Sequence, residues 1–280
     1  MSASMEQLQQ LSSTSLEQNF PTTFFETYLN NPQGIVVSIS SVSGGMIVLE
    51  FEVRVQEIVR RTYDVKSFRF DRPSSFNYSP GQFMFVTLNV GEQKMRKPLT
   101  ISSSPTEKDY VEFTKKLTGH PFSNGLDTLK VGDGLSIDAP HGNFTFTGQY
   151  PRIALLAGGM GITPMRSILR YYTDSNLETK ITLLYGCNTE ADIVFRNELE
   201  DIQRHKKNFK LVITLTEAGS NWKGYVGRIN DEMIRSEIQG YERTIFYSCG
   251  PPAMVEGMSN LLKSLGVTEE NVKTENFEGY

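Results

Sequence analysis

Cysteine is nearly missing from this 280-residue chain: Cys187 and Cys249 are the only two. Two separated thiols exclude an internal iron–sulfur cluster, which takes four. The three histidines, His120, His141 and His205, form no helical pair. A structural zinc or metalloprotease pattern is therefore absent and no metal site is expected. No apolar run is long enough to cross a bilayer, because the nearest, residues 35–53, is broken by four serines, Gly44, Gly45 and Glu50. The first basic residue is Arg54. A secretory n-region and the arginines of an organelle transit peptide are thus missing, and a reducing cytoplasm is the expected compartment. With 28 Lys and Arg against 32 Asp and Glu, a net charge of −4, nothing suggests a nucleic-acid partner.

What is present is room for two domains. Residues 1–33 are rich in Ser, Thr, Gln and Asn and read as a flexible extension, with a short helix near residues 22–29. Two readings stand for residues 36–53: a hairpin turning at Ser43-Gly44-Gly45, or a tail that ends where folding starts at Met46. Residues 55–60, 65–70, 82–88, 99–102, 110–115 and 134–137 alternate in the manner of strands, with Pro- and Gly-containing turns between them. Such a series predicts a closed or nearly closed antiparallel barrel, with a short helix at residues 123–129.

After Gln149-Tyr150-Pro151 the period changes. Strands are expected at 153–157, 181–185, 209–215 and 244–248, and helices at 165–172, 193–202, 231–238 and 253–265. That alternation predicts a parallel sheet covered by helices on both faces. The expected division is an extension at 1–45, a barrel at 46–148 and an α/β domain at 149–280.

Two turns of the second half carry chemistry. Ala157-Gly158-Gly159-Met160-Gly161-Ile162-Thr163-Pro164 runs from a strand into a helix. Gly158, Gly159 and Gly161 allow close backbone approach to a diphosphate and positive φ. Thr163 suits a helix cap and Pro164 the first helical position. The helix start then offers free amides to an anion. A tight turn without a ligand would use the same residues, and the spacing is not G-x-G-x-x-G. The second turn is Cys249-Gly250-Pro251-Pro252, at the end of another strand and on the same rim of the sheet. Alone, Cys249 reads equally as a small buried hydrophobe.

Together these two motifs resemble the ferredoxin–NADP reductase superfamily over residues 50–280. The resemblance implies a flavin-binding antiparallel barrel followed by a nucleotide-binding α/β domain. It places the dinucleotide diphosphate on the glycine loop, and Cys249, with Gly250 and Pro251, beside the nicotinamide. The family's flavin motif, Arg-x-Tyr-Ser/Thr, corresponds to Lys97-Pro98-Leu99-Thr100, with Ser102 following. Lys97 meets phosphate as a point charge without the guanidinium fork. Leu99 lacks a phenolic hydroxyl but can pack on the ring, and Thr100 keeps the hydroxyl that lies near flavin N5. Lys115, Gly119, Ser123 and Asn124 match the second phosphate segment, although Ser123 and Asn124 are also ordinary helix caps. At the C-terminus Phe277 or Tyr280 would cover the flavin, with Glu275 as a proton relay; a frayed tail is the alternative.

The resemblance thus implies a flavoprotein reductase, with Thr100, Cys249 and Glu275 at the reacting centre. FAD is the expected flavin, with FMN open. NADH is favoured over NADPH because residues 186–192 hold Glu190 and Asp192 and no cation to meet a 2′-phosphate. Electrons would leave to a separate ferredoxin, cytochrome, oxygenase component or small molecule. The alternatives are an electron-transfer subunit of a larger redox complex, and a non-catalytic nucleotide-binding protein that has lost flavin.

Overall fold

The computed structural model describes residues 37–43 and 46–277. The expectations for residues 1–36, for the Gly44-Gly45 turn and for Tyr280 lie outside the described residues.

The first half is built on alternation. In β4 (Phe83–Val90), Met84, Val86 and Leu88 are buried while the residues between them are not, as a strand with one covered face requires. β1 (Val37–Ser43) pairs antiparallel with β2 (Met46–Arg60). β2 first opposes β7 (Gly134–His141) and then β3 (Val65–Asp71), with a register shift between Val55 and Glu57. Such a bulge bends a long strand enough to serve two neighbours. The sheet runs β5-β4-β7-β2-β3-β6, where β5 is Gln93–Thr100 and β6 is Tyr110–Lys116. Its edges meet just past β5, through the Ile101–Phe113 bridge and the Ser102 N–H donating to Glu112 O at 2.8 Å. The barrel is therefore curled onto itself around Phe51, Phe68, Phe70, Ile101, Phe113 and Ile137. Each of these buried side chains stabilises the fold by ~1.5–3 kcal/mol. α1 (Pro121–Thr128) turns Phe122 and Leu126 onto this core.

The second half changes to continuous apolar strands because both faces are covered. β8 (Arg152–Gly158) is buried from Ile153 to its end. One face of the sheet packs on α2 (Ile162–Asp174) and α3 (Arg196–His205), through Met165, Ile168, Leu199 and Ile202. The other packs on α4 (Asp231–Glu237) and α5 (Pro252–Ser264), through Met233, Ile234, Met258 and Leu262. The order is β11-β10-β9-β8-β12-β13, parallel throughout, with β9 at Lys180–Cys187, β10 at Phe209–Leu215 and β12 at Ile245–Gly250.

Two strands escape the sequence pattern, and β5, expected at 99–102, begins earlier, at Gln93. β11 (Tyr225–Val226) is two residues long, and β13 (Val272–Asn276) is a polar edge strand, Val-Lys-Thr-Glu-Asn, without buried alternation. The C-terminal segment to Asn276 is thus part of the sheet, not a frayed tail.

β8 leads to β9 on one side and has β12 on the other, so the strand order reverses between β8 and β12. Ligands of open parallel sheets enter at that point, outside the carboxyl ends of the strands.

Candidate active site at the domain junction

β8 runs into a 3-10 turn, Gly159–Gly161, that opens directly into α2. Gly159 has φ +51° and open space around it, so its demand is conformational. A side chain on Gly161 would overlap the Cys249 carbonyl, and one on Gly158 would overlap Met254 Sδ. These two glycines therefore let the two rim loops touch. Because the 3-10 turn takes up the entry, α2 starts at Ile162 and its cap position is Gly161. Thr163 is not the cap, as its spacing suggested: it is buried in the first turn and its hydroxyl donates to Met160 O at 3.0 Å. Pro164 is correspondingly the third helical residue, not the first.

Between the loops lies a cleft of about 500 Å³. It is lined by the glycine turn, Gly250 and Pro251, by Gly186, Cys187, Asn188, Thr216 and Arg228, by Phe277, and by Asp64, Val65 and Lys116 of the barrel. Cys249 is fully buried. Burial, and then the nearby Glu275, push its thiol well above the usual cysteine range. Glu275 stands opposite Cys249 on β13. Burial pushes its carboxyl up to about 7, and Oε2 is buried without a hydrogen-bond partner. Just beyond, the Phe277 N–H donates to Gly250 O at 3.0 Å.

The barrel faces this rim with the end of β5. Thr100 pairs with Phe83, and Phe83 in turn with His141. A Cβ on Gly142 would stand 2.9 Å from the Phe83 ring and 3.8 Å from Glu275 Oε1. The structure thus links Thr100, Phe83, Gly142, Glu275 and Cys249 across the junction. The Thr100 hydroxyl is buried and lacks a protein partner.

Lys97 and Pro98 are exposed, whereas Leu99 is drawn into the barrel core opposite Met84. Ser102 has a different task from the expected one: its hydroxyl donates to Glu112 Oε1 at 2.9 Å inside the barrel and is not offered outward. Lys115 is buried, and burial together with the Lys97 charge lowers its amine to about 8. Gly119 takes φ +77°. Ser123 and Asn124 pin the loop before α1: Ser123 Oγ accepts from the Thr118 N–H, and Asn124 Nδ2 donates to Gly119 O, both at 2.8 Å. The helix starts at Pro121, so neither of them caps it.

These residues fit a flavin dinucleotide. An orphan buried hydroxyl stands at the rim, and two cations close enough to repel each other lie one strand apart, next to a pinned loop at a helix start. Two further residues join the junction without having been singled out from sequence: Arg166 on α2 and Glu107 after β5, which form a buried ion pair. The one local signal was a charge set between Met165 and Ile168 on a buried helix.

Comparison with known proteins agrees with this division of labour. Residues 50–146 match the Oxidoreductase FAD-binding domain family, and residues 155–260 match the Oxidoreductase NAD-binding domain family. NADH-cytochrome b5 reductase 2 of Danio rerio is 32% identical, the alignment covering 75% of this chain and 79% of the relative. The glycine betaine monooxygenase reductase subunit of Chromohalobacter salexigens is 31% identical over 80% of this chain, which spans 63% of that relative. The solved CS-b5R domains of human Ncb5or, in their NAD+ form, superpose with a TM-score of 0.72 at 25% identity, covering 81% of this chain and 69% of that one. The chain belongs to the ferredoxin–NADP reductase superfamily, with a FAD-binding barrel followed by an NAD-binding α/β domain.

Proposed function

We propose that this chain is a flavoprotein reductase that takes electrons from NADH and passes them through FAD to a separate acceptor. The supporting observation is the junction itself: the orphan Thr100 hydroxyl and the Cys249–Glu275 pair are linked across one rim, beside a nucleotide-sized cleft. The names of the relatives, reductases of monooxygenase systems and of cytochrome b5, suggest an oxygenase component or a haem protein as acceptor. Ferredoxin and small oxidants belong to the same reading. Among the described residues no helix is long and apolar enough to cross a membrane. The two buried free thiols suit a reducing compartment such as the cytoplasm.

When bound, FAD supplies the chemistry of accepting two electrons from a reduced nicotinamide and releasing them singly or in pairs. The protein binds, orients and holds protons. Lys97 and Lys115, with the Gly119–Ser123–Asn124 loop, hold the flavin diphosphate. Leu99 and Pro98 shape that end of β5. Thr100 supplies a hydroxyl at the flavin edge. The amides of the glycine turn and of the start of α2 would hold the nucleotide diphosphate, with Thr163 and Pro164 shaping the first turn of that helix.

Cys249 stays a neutral thiol in this environment, so it is not a nucleophile; fully buried, it supports Gly250 and Pro251, which line the cleft. Glu275 can hold or release a proton near neutral pH. Phe277 covers the cleft, a role Tyr280 would share.

NADH is preferred over NADPH in this reading. Glu190 and Asp192 stand beyond β9, where a 2′-phosphate would meet like charge. A visible absorption spectrum tests the reading: reconstituted protein should show a flavin band, and protein that takes up neither FAD nor FMN contradicts it.

A further inference from the structure

Helix α2 begins at the nucleotide turn and then lies along the barrel segment that follows Thr100. Two consecutive side chains of the helix grip two consecutive carbonyls of that segment. Arg166 Nη1 donates to Ser102 O at 2.9 Å, and Ser167 Oγ donates to Ser103 O at 2.6 Å. The Arg166 guanidinium also forks onto Glu107, with Nη1–Oε2 at 2.6 Å and Nη2–Oε1 at 3.0 Å. Its Nε reaches Glu198 of α3 at 3.1 Å. Every one of these contacts except that to Glu198 bridges the two domains. The Arg166 side chain is 5% exposed and Glu107 is 11% exposed.

A bidentate arginine fork fixes direction as well as distance, which a single point contact does not. Burial alone would lower the Arg166 pKa, but Glu198, Glu112 and Glu107 outweigh it and keep the guanidinium charged. The Phe195 ring takes both this guanidinium, at 5.7 Å, and that of Arg61 of the barrel, at 5.0 Å. Phe195 has φ +60°, a backbone state that surrounding contacts must hold in place for a bulky side chain.

We propose that Arg166, with Ser167 and Glu107, is the positioning device that sets how far the nucleotide turn stands from the Thr100 strand. The proposal rests on the reading of the chain as an NADH-to-flavin reductase. Arg166 does not line the cleft. It acts by holding the start of α2 against residues 102 and 103, two and three positions beyond Thr100. A displacement of about 1 Å at a reacting pair costs on the order of 10²-fold in rate, so register between the domains should govern electron transfer more than nucleotide binding.

The test compares the full chain loaded with FAD and its Arg166→Met, Arg166→Lys and Glu107→Gln variants. Three quantities are read: the dissociation constant for NAD+, the long-wavelength charge-transfer absorbance formed when nicotinamide meets flavin, and the limiting rate of flavin reduction at saturating NADH. Arg166→Met should lower the limiting rate at least tenfold and weaken the charge-transfer band, while NAD+ affinity stays within twofold. Glu107→Gln should do the same to a smaller extent, and Arg166→Lys should recover part of the loss. Glu107→Gln preserves shape and decides the matter if Arg166→Met does not hold flavin. Limiting rates and bands within twofold of the parent in both Glu107→Gln and any flavin-holding Arg166 variant overturn the proposal. So does a change confined to nucleotide affinity. A parent protein that NADH does not reduce overturns the reductase reading, and this proposal with it, whereas reduction of the parent alone keeps the two questions separate.

Discussion

Cys249 and Glu275 stand directly opposite each other on the parallel strands β12 and β13, and burial holds both toward their neutral forms. The carboxyl is the more informative member, because burial moves it to about 7. A raised carboxyl pKa means that the folded state binds a proton the unfolded state has released. Stability therefore falls as pH rises from about 4.5 to about 7 and levels off above. In protein without flavin, Glu275→Gln should remove this slope and stabilise the fold at pH 8 by roughly 3 kcal/mol. Urea denaturation of both proteins at pH 5 and pH 8 measures it. An equal pH slope in the two proteins contradicts the assignment.

The three glycines of the nucleotide turn should differ in what they tolerate. Gly161→Ala drives a methyl into the Cys249 carbonyl, which is backbone and cannot step aside. Gly158→Ala meets Met254 Sδ, the flexible end of a side chain, and Gly159→Ala meets nothing but carries positive φ. Expected losses are ~1–3 kcal/mol or more for Gly161→Ala from overpacking, and about 1 kcal/mol for Gly159→Ala from backbone strain. Thermal denaturation ranks them. A Gly161→Ala protein no less stable than Gly159→Ala would show that the rim loops do not depend on this contact.

FAD affinity should fall as pH rises through 8. Burial and Lys97 lower the Lys115 amine to about 8 without ligand, whereas a bound diphosphate favours the ammonium. Binding above pH 8 must therefore take up a proton, weakening affinity by up to about tenfold per pH unit. Lys115→Met should bind FAD more weakly and lose this dependence. Fluorescence titration of FAD between pH 7 and 10 reads both. Affinity flat across that range in the parent chain contradicts the placement of the diphosphate beside Lys115.

Catalytic efficiency should be higher with NADH than with NADPH, and Glu190→Gln should narrow the gap. Glu190 is paired with Arg196 at 3.0 Å. The gap is accordingly expected to be moderate, on the order of one charge contact near a protein surface. Steady-state kinetics with both nucleotides checks this, and equal or greater efficiency with NADPH contradicts it.

Much of this arrangement was legible in the sequence, and the exceptions have physical causes. The continuous run Ile153-Ala154-Leu155-Leu156-Ala157 announced a strand covered on both faces, and β10 fell where its period placed it. The barrel strands read from their alternation except β5, expected at 99–102 but running from Gln93 to Thr100 with no buried alternation before Leu99. β13 did not, because an edge strand can be polar and still pair through its backbone. Thr163-Pro164 promised a capped helix, but the preceding 3-10 turn moved the start by a residue or two, a shift that depends on packing against Cys249. Leu99 occupies an aromatic position of the flavin motif, yet the barrel core claims it. Arg166 and Glu107 stood 59 positions apart. An ion pair across that distance leaves no periodic trace, so only the folded junction reveals it.

Anaerobic mixing reads out whether the Thr100 strand and the Cys249–Glu275 rim form one reacting centre for a nicotinamide and a flavin. FAD-loaded protein should lose its visible flavin absorbance on addition of one equivalent of NADH, and regain it when an electron acceptor is added next. Flavin absorbance that persists at saturating NADH would contradict the account.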